Sequence, residues 1–306
     1  MIQESGVAME AWIIYFKKQA EYNRQYIEFY REEGAKLGIC VKLILVEKLQ
    51  FGVLNNRWFI RYENTEIKYP DFIINRAIYP LLSRQLEMMG LRVFNNSFIA
   101  EICNNKAKTY QYLAKTGIPM IDTIFCKNIL LRETLMESKK PCVVKAVEGH
   151  GGKEVFLLED NDDNKINHIL GGIGSSDTVI QPLIGSRHQD LRVYVIGKKI
   201  IAGVLRTARE GSFQSNYSLG GEVALYELSE QEREQVNIII KEFDFGLVGI
   251  DFIIGDEGEL IFNEIEDVVG SRMLYQCADI NIVESYLKHI RKLISATRNY
   301  CENQLS

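Results

Sequence analysis

The chain has 306 residues, 46% of them hydrophobic and 25% charged, an ordinary soluble globular composition long enough for two or three compact units. A formal net charge of −5 without a compensating basic tract argues against nucleic acid as a partner. Six scattered cysteines lack a CxxC pair and four histidines are equally dispersed, so neither a zinc site nor a disulfide framework follows. With no signal peptide and no long apolar span, the expected compartment is the cytoplasm and no membrane partner is expected.

Residues 1–9 carry no pattern. Ala11 to Tyr15 reads as a short buried strand, Glu21 to Leu37 as a helix with Tyr22, Tyr26, Phe29 and Tyr30 at helical spacing, and Ile39 to Val46 as a strand. Asn55-Asn56 marks a turn before Trp58 to Tyr62; Asp71 to Asn75 is a further apolar run. A helix through Leu81, Leu82, Leu86 and Met89 then leads to Leu91 to Phe94. Alternation of this kind predicts a small open α/β unit with a parallel sheet. The aromatic stripe of the first helix reads as core.

From Asn104 the character changes. A helix opens at Asn105-Lys106 and stops at Gly117, with a lysine in its first turn, where the helix dipole favours anions. Lys106 is then either a phosphate ligand or a solvated surface lysine. Pro141 to Ala146 is an apolar strand interrupted by Lys145, and the Glu148-Gly149-His150-Gly151-Gly152 segment leads from it to a second run, Val155 to Leu158. Glycines let backbone N–H groups approach an anion closely, so this segment is a phosphate flap or a plain hairpin turn. It is not a Walker A loop, because Gly152-Lys153 is followed by Glu154. A lysine within an apolar strand beside it needs an anionic partner.

Thr178 to Ile184 is another apolar run, in which Gln181-Pro182 suits an inter-domain connection where backbone groups read a nucleobase edge. Asp190 and Arg192 precede a strand from Val193 to Ile196, and Ile200 to Arg206 returns. The Gly- and Ser-rich stretch Thr207 to Gly221 suits a mobile cover. Ser229 and Glu232 form a capping box for a helix from Glu230 to Phe243. Near the end, Asp279 caps a helix with a buried stripe of Val283, Leu287, Ile290 and Ile294, and residues after Thr297 are expected to fray.

Between those two helices, Leu247 to Gly270 reads as a tight hairpin around Gly255-Asp256-Glu257-Gly258. With Ile254 facing Glu259, Asp251 lies opposite Phe262 and diagonal to Glu264. One face then carries Asp251, Phe262, Glu264 and Glu266, and the other Ile250, Phe252, Ile254, Ile261 and Ile265. Three carboxylates among apolar neighbours repel one another unless a cation compensates, so the face is a Mg²⁺ site or a solvated acidic edge.

Over about Asn104 to Ile290 the order of these features resembles the ATP-grasp superfamily, most of all its RimK-type carboxylate–amine ligases. The residues carrying the likeness are Asn105-Lys106, Gly117-Ile118-Pro119, Val143 to Gly149 with Gly151, Gln181, Asp190-Leu191-Arg192, Gly211 to Asn216, Gly220-Gly221, Val248 to Asp251 and Glu264-Ile265-Glu266. The resemblance implies an N-terminal open α/β domain (1–100), a central ATP-grasp lobe with a glycine-rich flap (101–181) and a C-terminal lobe with a metal-binding hairpin (182–306), the two grasp lobes having mostly antiparallel sheets.

It also implies roles. Lys106 and Lys145 would hold ATP phosphates under a flap of Glu148, Gly149, Gly151 and Gly152; Gln181, Pro182, Leu183 and Ile184 would line the adenine, and Asp190 would take the ribose. Asp251, Glu264 and Glu266 would bind Mg²⁺, with Mn²⁺ an alternative. Arg206 and Asn216 would face the γ-phosphate. The family's chemistry phosphorylates a carboxylate, and an amine then displaces phosphate to give an amide, so the implied partners are a small-molecule or peptide carboxylate and an amine. The resemblance also admits a homo-oligomer. The chain departs from the pattern at Glu266, where the family has asparagine, and at Gln214-Ser215-Asn216 and Ser218 to Gly221, where two basic groups are missing. It departs again at Glu266 to Gly270, so the acceptor is expected to differ from that of the ribosomal-protein glutamate ligases. A kinase acting on a hydroxyl and a non-catalytic nucleotide-binding module are the two rival readings.

Overall fold

The computed structural model describes residues 9–152, 154–208 and 222–305, with side chains as far as residue 296. The chain opens with β1 (Met9–Tyr15), α1 (Lys17–Tyr22), α2 (Arg24–Lys36) and β2 (Ile39–Leu45). The single helix expected over 21–37 is two helices, interrupted at Asn23, whose φ of −102° and ψ of 21° break the turn. An antiparallel ribbon follows, β3 (Leu49–Leu54), β4 (Arg57–Tyr62) and β5 (Thr65–Glu66), turned at Asn55 and Asn56, both with positive φ. Asparagine tolerates that conformation, as a two-residue hairpin requires. Then come β6 (Phe72–Asn75), α3 (Pro80–Met88) and β7 (Val93–Phe94). The expected parallel sheet is present in the order β2-β1-β6-β7, with the ribbon as an insertion beside it.

Helices α4 (Ser97–Ile102) and α5 (Lys106–Leu113) lead to β8 (Ile124–Cys126), α6 (Leu131–Glu137), β9 (Cys142–Ala146), β10 (Val155–Leu158), α7 (Asp163–Ile173) and β11 (Thr178–Pro182). These strands form an antiparallel sheet, β10-β9-β11-β8, closed by its own core of Val144, Leu158, Ile166, Ile169 and Ile180 among others. Gln181 and Pro182 end a strand of this sheet and are not a free connection.

The last unit contains β12 (Gln189–Ile196), β13 (Lys199–Thr207), β14 (Glu222–Tyr226), α8 (Glu230–Glu242), β15 (Leu247–Ile254), β16 (Leu260–Glu266), α9 (Arg272–Cys277) and α10 (Ile282–Leu305). Its antiparallel sheet runs β14-β13-β12-β15-β16. Strand β12 starts at Gln189, so Asp190 and Arg192 sit within it and not before it. The Ser229–Glu232 capping box is in place on α8. Asn281, not Asp279, caps α10: its Oδ1 accepts from the Glu284 N–H at 2.9 Å, and the helical backbone continues to Leu305 past the expected fraying point. The stripe Val283, Leu287, Ile290 and Ile294 is buried. It joins Ile13, Tyr30 and Phe72 of the first unit and Tyr194 of the last in one core, so the parallel sheet and the C-terminal sheet are packed as a single body. No helix among the described residues is long and apolar enough to cross a membrane.

Candidate active site

Strands β15 and β16 position the acidic side chains, in a register the alternation alone does not predict. Near the turn, Ile254 pairs with Leu260 and Phe252 with Phe262, one residue away from the expected pairing. Carried on, that register would send Glu264 and Glu266 to the core face. A bulge corrects it: the extra residue is Asn263, and beyond it Asp251 faces Glu264 and Gly249 faces Glu266. Phe262 therefore belongs with Phe252 in the core, both fully buried, and not on the acidic face as its spacing suggested.

The acidic face meets four basic side chains. Arg192 on β12 holds Asp251 bidentately, Nε donating to Oδ1 at 2.8 Å and Nη2 to Oδ2 at 2.6 Å. Arg206 on β13 donates to both oxygens of Asp190, and its Nη2 reaches Asp251 Oδ2 at 2.7 Å. Burial alone would raise the Asp251 carboxyl; the two guanidiniums outweigh it and bring it down to about 2. Gly249 makes this packing possible, because a Cβ there would meet Val269 at 2.7 Å and Arg192 Cδ at 3.2 Å.

Lys106, at the start of α5, donates to the Gly149 carbonyl at 2.6 Å and lies 3.3 Å from Glu264. Lys145 on β9 donates to Asn263 Oδ1 at 2.8 Å. Burial, with Lys106 also repelling it, lowers the Lys145 ammonium to about 8 against the pull of Glu264. Glu264 is raised by burial but held below the ordinary glutamate range by Lys106 and Lys145. Burial pushes the Glu266 carboxyl up. Arg192 Nη1 lies 2.5 Å from Glu266 Oε2, yet off the hydrogen-bonding direction, so that oxygen is ion-paired without being hydrogen-bonded.

These groups surround a cleft of about 1190 Å³, its open mouth included. Of the residues expected from sequence, Lys106, Lys145, Gly149, Gly151, Gly152, Gln181, Pro182, Leu183, Ile184, Asp190, Arg206, Glu264 and Glu266 all line it. Gly151 and Gly152 take φ of +67° and +74°, the left-handed region that glycine enters without strain. Two expectations change. Glu148 is exposed, bonded to Asn105 and outside the cleft wall, since the chain turns its side chain outward after β9. Asp251 is sealed behind Arg192 and Arg206 and does not reach the wall. Asn216 lies outside the described residues, as do Gln214 and Ser218.

The same feature order carries over to known proteins. A family profile described as the RimK-like ATP-grasp domain matches residues 103–290. The chain belongs to the RimK-like ATP-grasp family. Within it, a probable alpha-L-glutamate ligase of Legionella pneumophila is 31% identical over 212 residues, 68% of this chain and 70% of that protein. Among solved structures, the VanG D-Ala:D-Ser ligase of Enterococcus faecalis aligns with a TM-score of 0.71 at 14% identity, over 94% of this chain and 99% of that one. The ATP-grasp ligase PsnB, complexed with a phosphomimetic variant of its minimal precursor, Mg and ADP, aligns with a TM-score of 0.68 at 16% identity, over 94% and 100%. The expected ATP-grasp architecture and ligase class are thus met.

Among the cleft residues that the sequence does not single out, Asn263 and Arg192 hold its charged groups in place. Asn263 is hidden because only a bulge turns it toward Lys145, and a bulge leaves no mark in a period-two pattern. Arg192 stands beside the expected Asp190, two residues on, and the same-face spacing within one strand is the signal that pointed to it.

The donor set also tests the expected metal. Among the described residues, no group of three or more Asp, Glu, His or Cys side chains converges closely enough to hold one ion. Glu264 and Glu266, about a third exposed at 33% and 31%, nevertheless present carboxylate oxygens to the cleft. Mg²⁺ is commonly held by one or two carboxylates plus phosphate oxygens and water, so these two fit it.

Proposed function

We propose that this chain uses ATP with Mg²⁺ to activate a substrate carboxylate as an acyl phosphate and joins it to an amine. The observation that supports this best is the convergence of Lys106, Lys145, Arg192 and Arg206 with Glu264 and Glu266 on one cleft. Phosphoryl transfer needs offset charge and positioning more than a proton-transfer base, and the cleft is built for charge. Lys106 and Lys145 would bind phosphate oxygens beneath Gly149 to Gly152, while Gln181 to Ile184 line the base and Asp190 faces the ribose. Glu264 and Glu266 would hold Mg²⁺, which supplies charge neutralisation at the phosphates. Asp251, with both oxygens held by guanidiniums, would fix Arg192 and Arg206 in place for the transferring group.

The names of the relatives suggest an α-amino acid such as glutamate as one substrate, and the precursor bound to PsnB suggests a peptide as the alternative. ADP release is the test, measured with ATP and Mg²⁺ against amino acids, dipeptides and dicarboxylates, with Glu264→Ala and Lys145→Ala as controls. Release that requires both a carboxylate and an amine, and disappears in both variants, is the expected result. Release stimulated by a hydroxyl acceptor without an amine would make the chain a kinase. Tight ATP binding with no stimulated turnover would leave a binding module.

A further inference from the structure

A second polar cluster lies at the carboxyl end of the parallel sheet. Strands β1 and β6 are neighbours there, but β1 leads through α1 and α2 to β2 on one side, whereas β6 leads through α3 to β7 on the other. Diverging connections open a crevice at the strand ends, the usual place for a ligand in an open α/β sheet. Tyr15 is the last residue of β1, and Arg76 follows the last residue of β6.

Arg76 is 8% exposed and, among the described residues, forms no ion pair with a carboxylate. Its guanidinium lies 5.9 Å from the Tyr15 ring and 5.2 Å from that of Tyr26, and Nη2 donates to the carbonyls of Val268 and Val269. The Asp267 carboxylate, whose charge reaches Arg76, already accepts from Asn95 at 2.5 Å and Asn104 at 2.9 Å. Arg76 Nε and the Tyr30 hydroxyl find no hydrogen-bond partner, the Tyr15 hydroxyl turns to the Arg76 guanidinium itself, and both tyrosines are fully buried. A buried cation with an unused N–H, beside a tyrosine hydroxyl that lacks a partner, forms a receptor for an anion. Tyr26, half-buried and bonded to Ser271 Oγ at 2.9 Å, forms the side nearest solvent.

The cluster is tied to the nucleotide cleft. The carbonyls that Arg76 holds belong to Val268 and Val269, two and three residues beyond Glu266, and Tyr194 on β12 bonds the next carbonyl, Gly270, at 2.9 Å. We infer that the buried Arg76–Tyr15–Tyr30 cluster binds a carboxylate of the ligase substrate other than the one being activated. A reacting carboxylate must lie against the γ-phosphate, so the group held here is the α-carboxylate of an amino acid or the far carboxylate of a diacid. Assigning the ligand to a ligase substrate rests on the carboxylate–amine reading above; the anion site itself does not.

Isothermal titration of the full chain, with and without Mg-ADP, tests it with glycine, L-glutamate and succinate, each against its carboxamide. In the wild type at least one carboxylate should bind at least about tenfold more tightly than its amide. Arg76→Lys and Arg76→Met should lose that preference and Tyr30→Phe should weaken it, the last with Mg-ADP affinity unchanged within about twofold. Should Arg76→Met fail to fold, Arg76→Lys and Tyr30→Phe carry the test. A wild type with no preference for any of the carboxylates, or an Arg76→Lys protein that keeps it, would overturn the inference. Carboxylate preference that depends on Arg76 in a protein that does not bind Mg-ADP would uphold the site and overturn the ligase reading. Preference for succinate over both amino acids would assign the site to a diacid, and the reverse to an amino acid.

Discussion

Lys145 is the residue whose state the cleft controls most directly. Its folded pKa of about 8 is depressed from 10.5, so below pH 8 the charged form is held at a cost of roughly 3 kcal/mol. The unfolded chain keeps its proton to higher pH, and stability therefore rises between pH 8 and 10.5 as the folded lysine goes neutral. Denaturation of wild type and Lys145→Met across that range should show the wild type gaining on the variant by about that amount. A constant difference would place the ammonium in solvent instead. The same loss of charge should weaken Mg-ADP binding above pH 8, an effect that Lys145→Arg removes because guanidinium stays protonated.

Among the elements, the β15–β16 hairpin was legible in its strands and turn but not in its register. Ile250, Phe252, Ile265 and the two glutamates alternate visibly, whereas the extra residue that returns Glu264 and Glu266 to the cleft has no compositional mark. The Asp251 environment was hidden for a similar reason. Spacing shows which face a carboxylate takes, but not that Arg192 and Arg206 from two other strands already claim it. The cap of α10 was misplaced by two residues because Asp279 and Asn281 are both good caps by type, and only the hydrogen bond decides. Fold class was legible because strand and helix periods alternate in the first third, and capping and apolar patterns marked α8 and α10. The bulge makes an asymmetric prediction. Deleting Asn263 regularises the ladder with Asp251 still opposite Glu264, so the chain should fold, losing about 1–3 kcal/mol for the Lys145 acceptor. Inserting a glycine after Phe262 also restores strict alternation but sets Glu264 opposite Gly249 and Glu266 opposite Leu247, away from Asp251, so the chain should fold and Mg-ADP binding should be lost. Calorimetry and nucleotide titration on the pair check this; an insertion that binds Mg-ADP normally would refute it.

At the scale of the molecule, α10 makes the first and last units one body, while the β8–β11 sheet keeps a separate core. Leu287→Ala should cost about 2–5 kcal/mol. Hydrogen exchange should show protection falling together in β1, β6 and β12, with β9 and β11 largely spared; equal losses in all of them would mean one indivisible core. The cleft wall contributes a further consequence. Its four basic side chains are matched by four acidic ones, with Asp251 counted behind the wall, so the protein's own charges in that chamber nearly cancel. A polyphosphate arriving alone would leave that chamber strongly negative, and a lone divalent ion would leave it positive. Nucleotide and cation should therefore enter as a matched pair, and chelating the cation should weaken ADP binding far more than raising ionic strength does.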